Sequence, residues 1–102
     1  SIMSTNKLKV MLSFMRELND GNIPQAEDYQ LEKSEFYDIV EACQDEGLIK
    51  GIRFKKNAVN EILIAFFDGV KLTVKGLEYL NNHSCIMKTY RGLKELREWL
   101  PF

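Results

Sequence analysis

The stretch FDGVKLTVKGLEYL, Phe67 to Leu80, packs a turn, a short extended run and the start of a helix into fourteen positions. Asp68-Gly69 is a strong turn dipeptide, Val70 and Leu72 suit extended chain, and Thr73 suits the N-cap of a helix carrying Val74, Leu77 and Leu80. Gly76 lies inside that helix, where glycine costs roughly 0.5–1 kcal/mol against alanine, so it marks a close approach that a Cβ would obstruct. An extended run that turns straight into a capped helix reads as the far side of a β-wing and its anchor.

Working outward, Ile49–Phe54 and Glu61–Phe67 are two β-friendly runs around the polar loop KKNAVN, which predicts an antiparallel hairpin. Before it, SEFYDIVEACQDEGLI predicts a helix with Ser34 as N-cap and Glu35 in the first turn. Its buried stripe is Phe36, Ile39, Val40 and Cys43, and Gly47 is its end. NIPQAEDYQLEK supports only a brief helix near Gln25 to Tyr29. Leu8, Val10, Met11, Leu12, Phe14, Met15 and Leu18 predict a first helix over Lys7–Leu18, with Ser4 or Asn6 as its cap and Gly21 in a left-handed terminal position. Beyond the opening stretch, NNH frays the helix. Ser84 caps a last one whose Ile86, Met87, Tyr90, Leu93, Leu96, Trp99 and Leu100 share a face, and Pro101 stops it.

This order predicts an α+β winged helix-turn-helix of about four main helices, a short one and a small antiparallel hairpin wing. It forms a single domain over residues 1–102, with 84–100 as a C-terminal helix packed on the body. Met3 is the expected start, with Ser1 and Ile2 an added pair. A chain of 102 residues with 45% hydrophobic content buries roughly two-thirds of its unfolded surface, enough for one core without metal or disulfide staples. Residues 1–10 do not read as a signal peptide, and Ile62–Phe67 falls far short of the roughly 20 apolar residues a membrane span needs. Cys43 and Cys85, both inside predicted helices, suit reduced thiols, so the expected location is cytoplasmic with no membrane partner.

The chain resembles the YjcQ-like family, small winged-helix proteins of Gram-positive bacteria and their phages. The likeness rests on LNDGNIP, on SEFYDIVEACQDEGLIKGI, and on KLTVKGLEYLNNHS followed by YRGLKELREWL, so it covers almost the whole chain. It implies a bacterial or prophage protein of about four helices and three short strands, and brings no catalytic or binding residues with it. The wing, FKKNAVNEILIAFF, is this chain's own variation.

Net charge is -1, but the halves differ: residues 1–48 hold ten acidic and four basic side chains, residues 49–102 five acidic and ten basic. The predicted third helix carries Glu35, Asp38, Glu41, Asp45 and Glu46 without a Lys or Arg, which disfavours inserting it into a DNA groove. Lys50, Arg53, Lys55, Lys56, Lys71 and Lys75 around the hairpin are the candidate nucleic-acid contacts, for weak DNA association through the wing. The competing bland reading is a lysine-rich hairpin that only blunts a sheet edge. The alternative function is a protein-protein module that offers Tyr37, Asp38, Glu41 and Asp45 to a basic-surfaced partner. The last helix, with Tyr90 and Trp99, is a candidate homodimer contact.

No catalytic residue, metal site or cofactor is expected. His83 and Cys85 are two ligands where zinc needs three or four, and Cys43 has acidic neighbours that raise a thiol pKa. The glycines follow no phosphate-loop spacing. The expectation is a non-enzymatic regulatory binding module.

Overall fold

Helix α1 (Ile2–Asn19) lies at the centre of the computed structural model, which describes residues 2–100 and side chains from residue 6 onward. Leu12, Ser13, Phe14 and Met15 are consecutive and all fully buried, so this stretch of α1 is covered on every side rather than along one stripe. The helix already runs through Ser4 and Asn6, so neither is its cap. It ends as expected, with Gly21 at φ +88° and its N–H donating to Leu18 O. Pro24 is buried, and a 3-10 turn follows at Ala26–Tyr29, halted by Gln30 at φ +56°.

Helix α2 (Lys33–Asp45) buries Phe36, Ile39, Val40 and Cys43 as its spacing requires. Its start differs from the expectation: Glu32 occupies the N-cap position without a side-chain bond, and Ser34 lies within the first turn. Gly47, at φ +77°, closes the helix with Leu48 N donating to Cys43 O.

The single hairpin of the sequence reading is in fact two antiparallel ladders. β1 (Ile49–Lys50) pairs with β4 (Lys71–Leu72), and β2 (Arg53–Lys56) pairs with β3 (Ile62–Phe66). The break is steric and polar. A Cβ on Gly51, at φ +90°, would lie 1.9 Å from Gly69 O, so the two backbones cross in contact where no side chain fits. Beside the crossing, Gln44 of α2 takes over the role of a strand: Ile52 N donates to its Oε1 at 2.9 Å and its Nε2 donates to Ile52 O at 3.0 Å.

Thr73 caps α3 (Val74–Asn82) by accepting from Gly76 N at 2.9 Å, and its hydroxyl also faces Gly47 O and Leu48 O. Gly76 is the close-packing site its sequence position suggested, since a Cβ there would stand 2.1 Å from Leu48 O. An aromatic cluster ties the layers together: Phe14–Phe36 at 5.7 Å, Tyr29–Phe36 at 5.9 Å and Phe36–Phe67 at 6.0 Å between ring centroids. Phe67 directly follows β3, so this cluster fixes the base of the hairpin to α1 and α2.

The C-terminal part corrects the reading of one helix over 84–100. α4 (Ser84–Met87) is a single turn with His83 at its N-cap position. Residues 88–92 are irregular, and a 3-10 turn at Leu93–Glu95 leads into α5 (Leu96–Trp99). Gly92, at φ +95°, is incompatible with a continuing helix. Pro101, the expected stop, lies outside the described residues. Among the described residues the fold is α+β, with five helices and two small antiparallel ladders.

Candidate functional site

The hairpin β2–β3 has two unlike faces because side chains alternate along a strand and directly opposed residues share a side. Phe54 and Ala65 are partners and turn inward, half-buried against the core. Arg53 and Phe66 are partners, as are Lys55 and Ile64, and these four turn outward together. Lys56 pairs with Ile62 rather than Leu63, so Leu63 is the extra residue of a β-bulge. Alternation along β2 puts Lys56 on the inner side, where its Nζ meets Glu41 Oε2 of α2 at 2.7 Å, and the bulge brings Ile62 rather than Leu63 opposite it. Leu63 is left 59% exposed, beside Ile64 at 42% and Phe66 at 40%.

The six candidate wing cations therefore divide. Lys56 is held by Glu41, and Lys75 donates to Glu46 O at 2.7 Å, completing the C-terminal end of α2. Arg53 stands 5.0 Å above the Phe66 ring and 3.4 Å from Asp68, in a pair so exposed that water screens most of it. Lys50 and Lys71 oppose one another on the β1–β4 ladder. Lys50, Lys55 and Lys71 are exposed and form no ion pair among the described residues.

The acidic candidates divide too. Asp38 and Asp45 are exposed, whereas Glu41 faces Lys56. Tyr37 is half-buried against Phe36 and Phe67, with centroids at 6.3 and 6.5 Å, so the proposed anchor of a protein contact is packed into the molecule. The face proposed for dimerisation does not form: Leu96, Trp99 and Leu100 are buried in their own chain, and Trp99 packs against Tyr90 at 4.6 Å.

Two features were missed by the sequence reading. One is the apolar trio Leu63, Ile64 and Phe66 among the outward cations; the run ILIAF was read as a strand without assigning faces, and the bulge that sets them has no local signature. The other is a buried polar relay. Ser13 donates to Tyr90 Oη at 2.9 Å, which leaves Tyr29 Oη, at 2.9 Å, to donate to Ser13. Tyr90 Oη in turn donates to Glu17 Oε2, and Asn22 Nδ2 donates to Glu17 Oε1 at 3.0 Å. A serine and a glutamate in the middle of an apolar helix were the available signal. Burial raises the phenol pKa of Tyr29 and of Tyr90, and for Tyr90 the bond to Glu17 adds to it.

Burial, and not the acidic neighbours expected from the sequence, pushes the Cys43 thiol up to about 12, with the Lys7 charge acting the other way. His83 Nδ1 lies 2.8 Å from Tyr79 O and its ring packs on that of Tyr79 at 4.2 Å. Among the described residues, no three His, Cys, Asp or Glu side chains are grouped to hold a metal ion, and no helix is long and apolar enough to cross a membrane.

A family model described as YjcQ protein matches residues 7–99. A curated relative, the uncharacterized protein YjcQ of Bacillus subtilis (strain 168), is 29% identical over 96 residues, spanning 93% of this chain and 98% of the relative. No solved structure matches.

Proposed function

Because this chain belongs to the YjcQ protein family, a membership that brings no chemistry with it, we propose a function from its surface: a small non-catalytic binding module of a bacterium or its phage. It associates weakly, and without sequence preference, with nucleic acid through the hairpin. The observation that carries this reading is the outward face of β2–β3, where Arg53 and Lys55 stand exposed on the same side. Lys50 and Lys71 add a cross-strand pair of like charges, which opposes the ladder slightly until an anion lies over it. The exposed carboxylates Glu35, Asp38 and Asp45 keep α2 away from a groove, so the phosphate backbone rather than base edges is what the protein meets.

Four cations, Lys50, Arg53, Lys55 and Lys71, give a slope of about -3.6 for log K against log salt on duplex DNA. Fluorescence anisotropy with a labelled random duplex over a salt series measures it. Binding at about 50 mM salt that is lost in a Lys55→Glu, Lys71→Glu variant supports the proposal; no binding at that salt overturns it.

A further inference from the structure

The hairpin's outward face holds more apolar surface than a duplex contact can use. Phe66 and Ile64 are exposed opposite Arg53 and Lys55, with Leu63 exposed beside them, and a double helix would press phosphates and sugars against them. Water would be removed from a ring and two aliphatic side chains with no apolar partner in return. Unpaired nucleotides differ, because each carries an open π-face beside its phosphate and can place one on each kind of residue.

Resting on the wing-led reading above, we propose that the face formed by Arg53, Lys55, Leu63, Ile64 and Phe66 binds single-stranded nucleic acid in preference to duplex. Arg53 and Phe66 already form the start of a stack, with the guanidinium carbon 5.0 Å from the ring centroid, and a base continues it on the guanidinium plane or displaces Arg53 from the ring. Lys55, on the same face one pair along, meets the adjoining phosphate. Charge complementarity selects a polyanion, and the π-faces select nucleotides over an acidic peptide. Addition of a peptide strand at the edge is opposed by the bulge at Leu63, which interrupts the regular ladder of β3.

The test compares labelled oligodeoxythymidine, a random duplex of equal length and poly-L-glutamate, each titrated into the full chain over a salt series. The expected result is binding of the single strand about tenfold tighter than the duplex, with a salt slope of about -2.8 if Lys50 and Lys71 of the wing-led reading join Arg53 and Lys55 as four contacts. Phe66→Leu, which keeps the apolar cover and removes the ring, lowers single-strand affinity about tenfold and leaves the duplex unchanged. Phe66→Trp keeps or raises it, and the indole introduced there is quenched on binding. Equal affinity for both strand states, or a Phe66→Leu variant with its preference intact, overturns the stacking proposal while leaving wing-led binding standing. Binding of poly-L-glutamate as tight as that of the oligonucleotide also overturns it, since charge alone, as on an acidic peptide, would then suffice. Absence of binding to either nucleic acid at about 50 mM salt removes the underlying reading and this inference with it.

Discussion

Gln44 and Ile52 exchange two hydrogen bonds, at 2.9 and 3.0 Å, in which a side-chain amide stands where a neighbouring strand would be. The sheet can therefore divide into two ladders without leaving Ile52 N–H and C=O unpaired beside a buried side chain.

Gln44→Ala is expected to lower stability by about 1–3 kcal/mol, because both backbone groups of Ile52 lose their partner at once. Gln44→Glu restores an acceptor for Ile52 N but sets a carboxylate oxygen against Ile52 O, and should recover only part of the loss. Urea midpoints at pH 7 check both.

Gly76→Ala sets helix propensity against packing. Propensity favours alanine by roughly 0.5–1 kcal/mol, while a Cβ 2.1 Å from Leu48 O and 2.7 Å from Leu72 Cδ1 forces α3 away from the strand segment that Thr73 holds. Overpacking of this kind costs about 1–3 kcal/mol, so packing wins and the variant is expected to be less stable in urea. A rise in stability would show that the helix can move at little cost.

What could be read from the sequence was what local geometry decides. Thr73, Gly21, Gly47 and the stripe Phe36, Ile39, Val40, Cys43 each follow from a cap, a positive φ or a helical period, and Gly76 from the cost of a glycine inside a helix. The C-terminal break was not legible, because the apolar spacing of residues 86–100 fits a helix equally well. Tyr90, where the chain has left the helical path, is bonded to Ser13 and Glu17, 77 and 73 positions away, and Gly92 two residues on takes φ +95°. The candidate site was half legible for a similar reason. The hairpin cations could be picked out as residues, but not their faces: Lys55 turns out and Lys56 in because Phe54 is the residue of β2 that packs on the core.

Tyr90→Phe cuts the relay at its middle. Glu17 keeps only Asn22 as a side-chain donor, Ser13 loses its acceptor, and both are buried, so a loss of about 2 kcal/mol is expected. Tyr29→Phe removes only the end of the relay and should cost less. Guanidinium unfolding of the two variants side by side checks the order.

Alkaline pH should unfold the protein through Cys43 before the tyrosines. The folded thiol, pushed up to about 12, remains protonated while the unfolded one ionises near 9, so the unfolded state binds fewer protons and stability falls as pH rises. The contribution is full below about pH 9, and about 2 kcal/mol of it is lost by about pH 10.5. Tyr29 and Tyr90, also raised, add their losses only above about pH 10. Urea midpoints from pH 8 to 10 should fall in the native chain and much less in Cys43→Ala, whatever cavity cost that variant carries at pH 7.

Lys55 and Lys56 are adjacent, and reversing their charges one at a time separates binding from folding. Lys56→Glu sets two carboxylates together where Nζ now lies 2.7 Å from Glu41, with both side chains about two-thirds or more covered, at 32% and 26% exposure. A loss of about 1 kcal/mol is expected, and Glu41→Lys should recover part of it in the double variant by restoring an opposite pair in reversed order. Lys55 has no ion pair among the described residues and faces outward beside Ile64, so Lys55→Glu should leave the urea midpoint within about 0.5 kcal/mol of the native chain. Its effect should appear in anisotropy, as weaker nucleic-acid binding and a salt slope reduced by about one contact. A Lys55→Glu variant that unfolds early but binds normally would place Lys55 in the fold and remove it from the binding face.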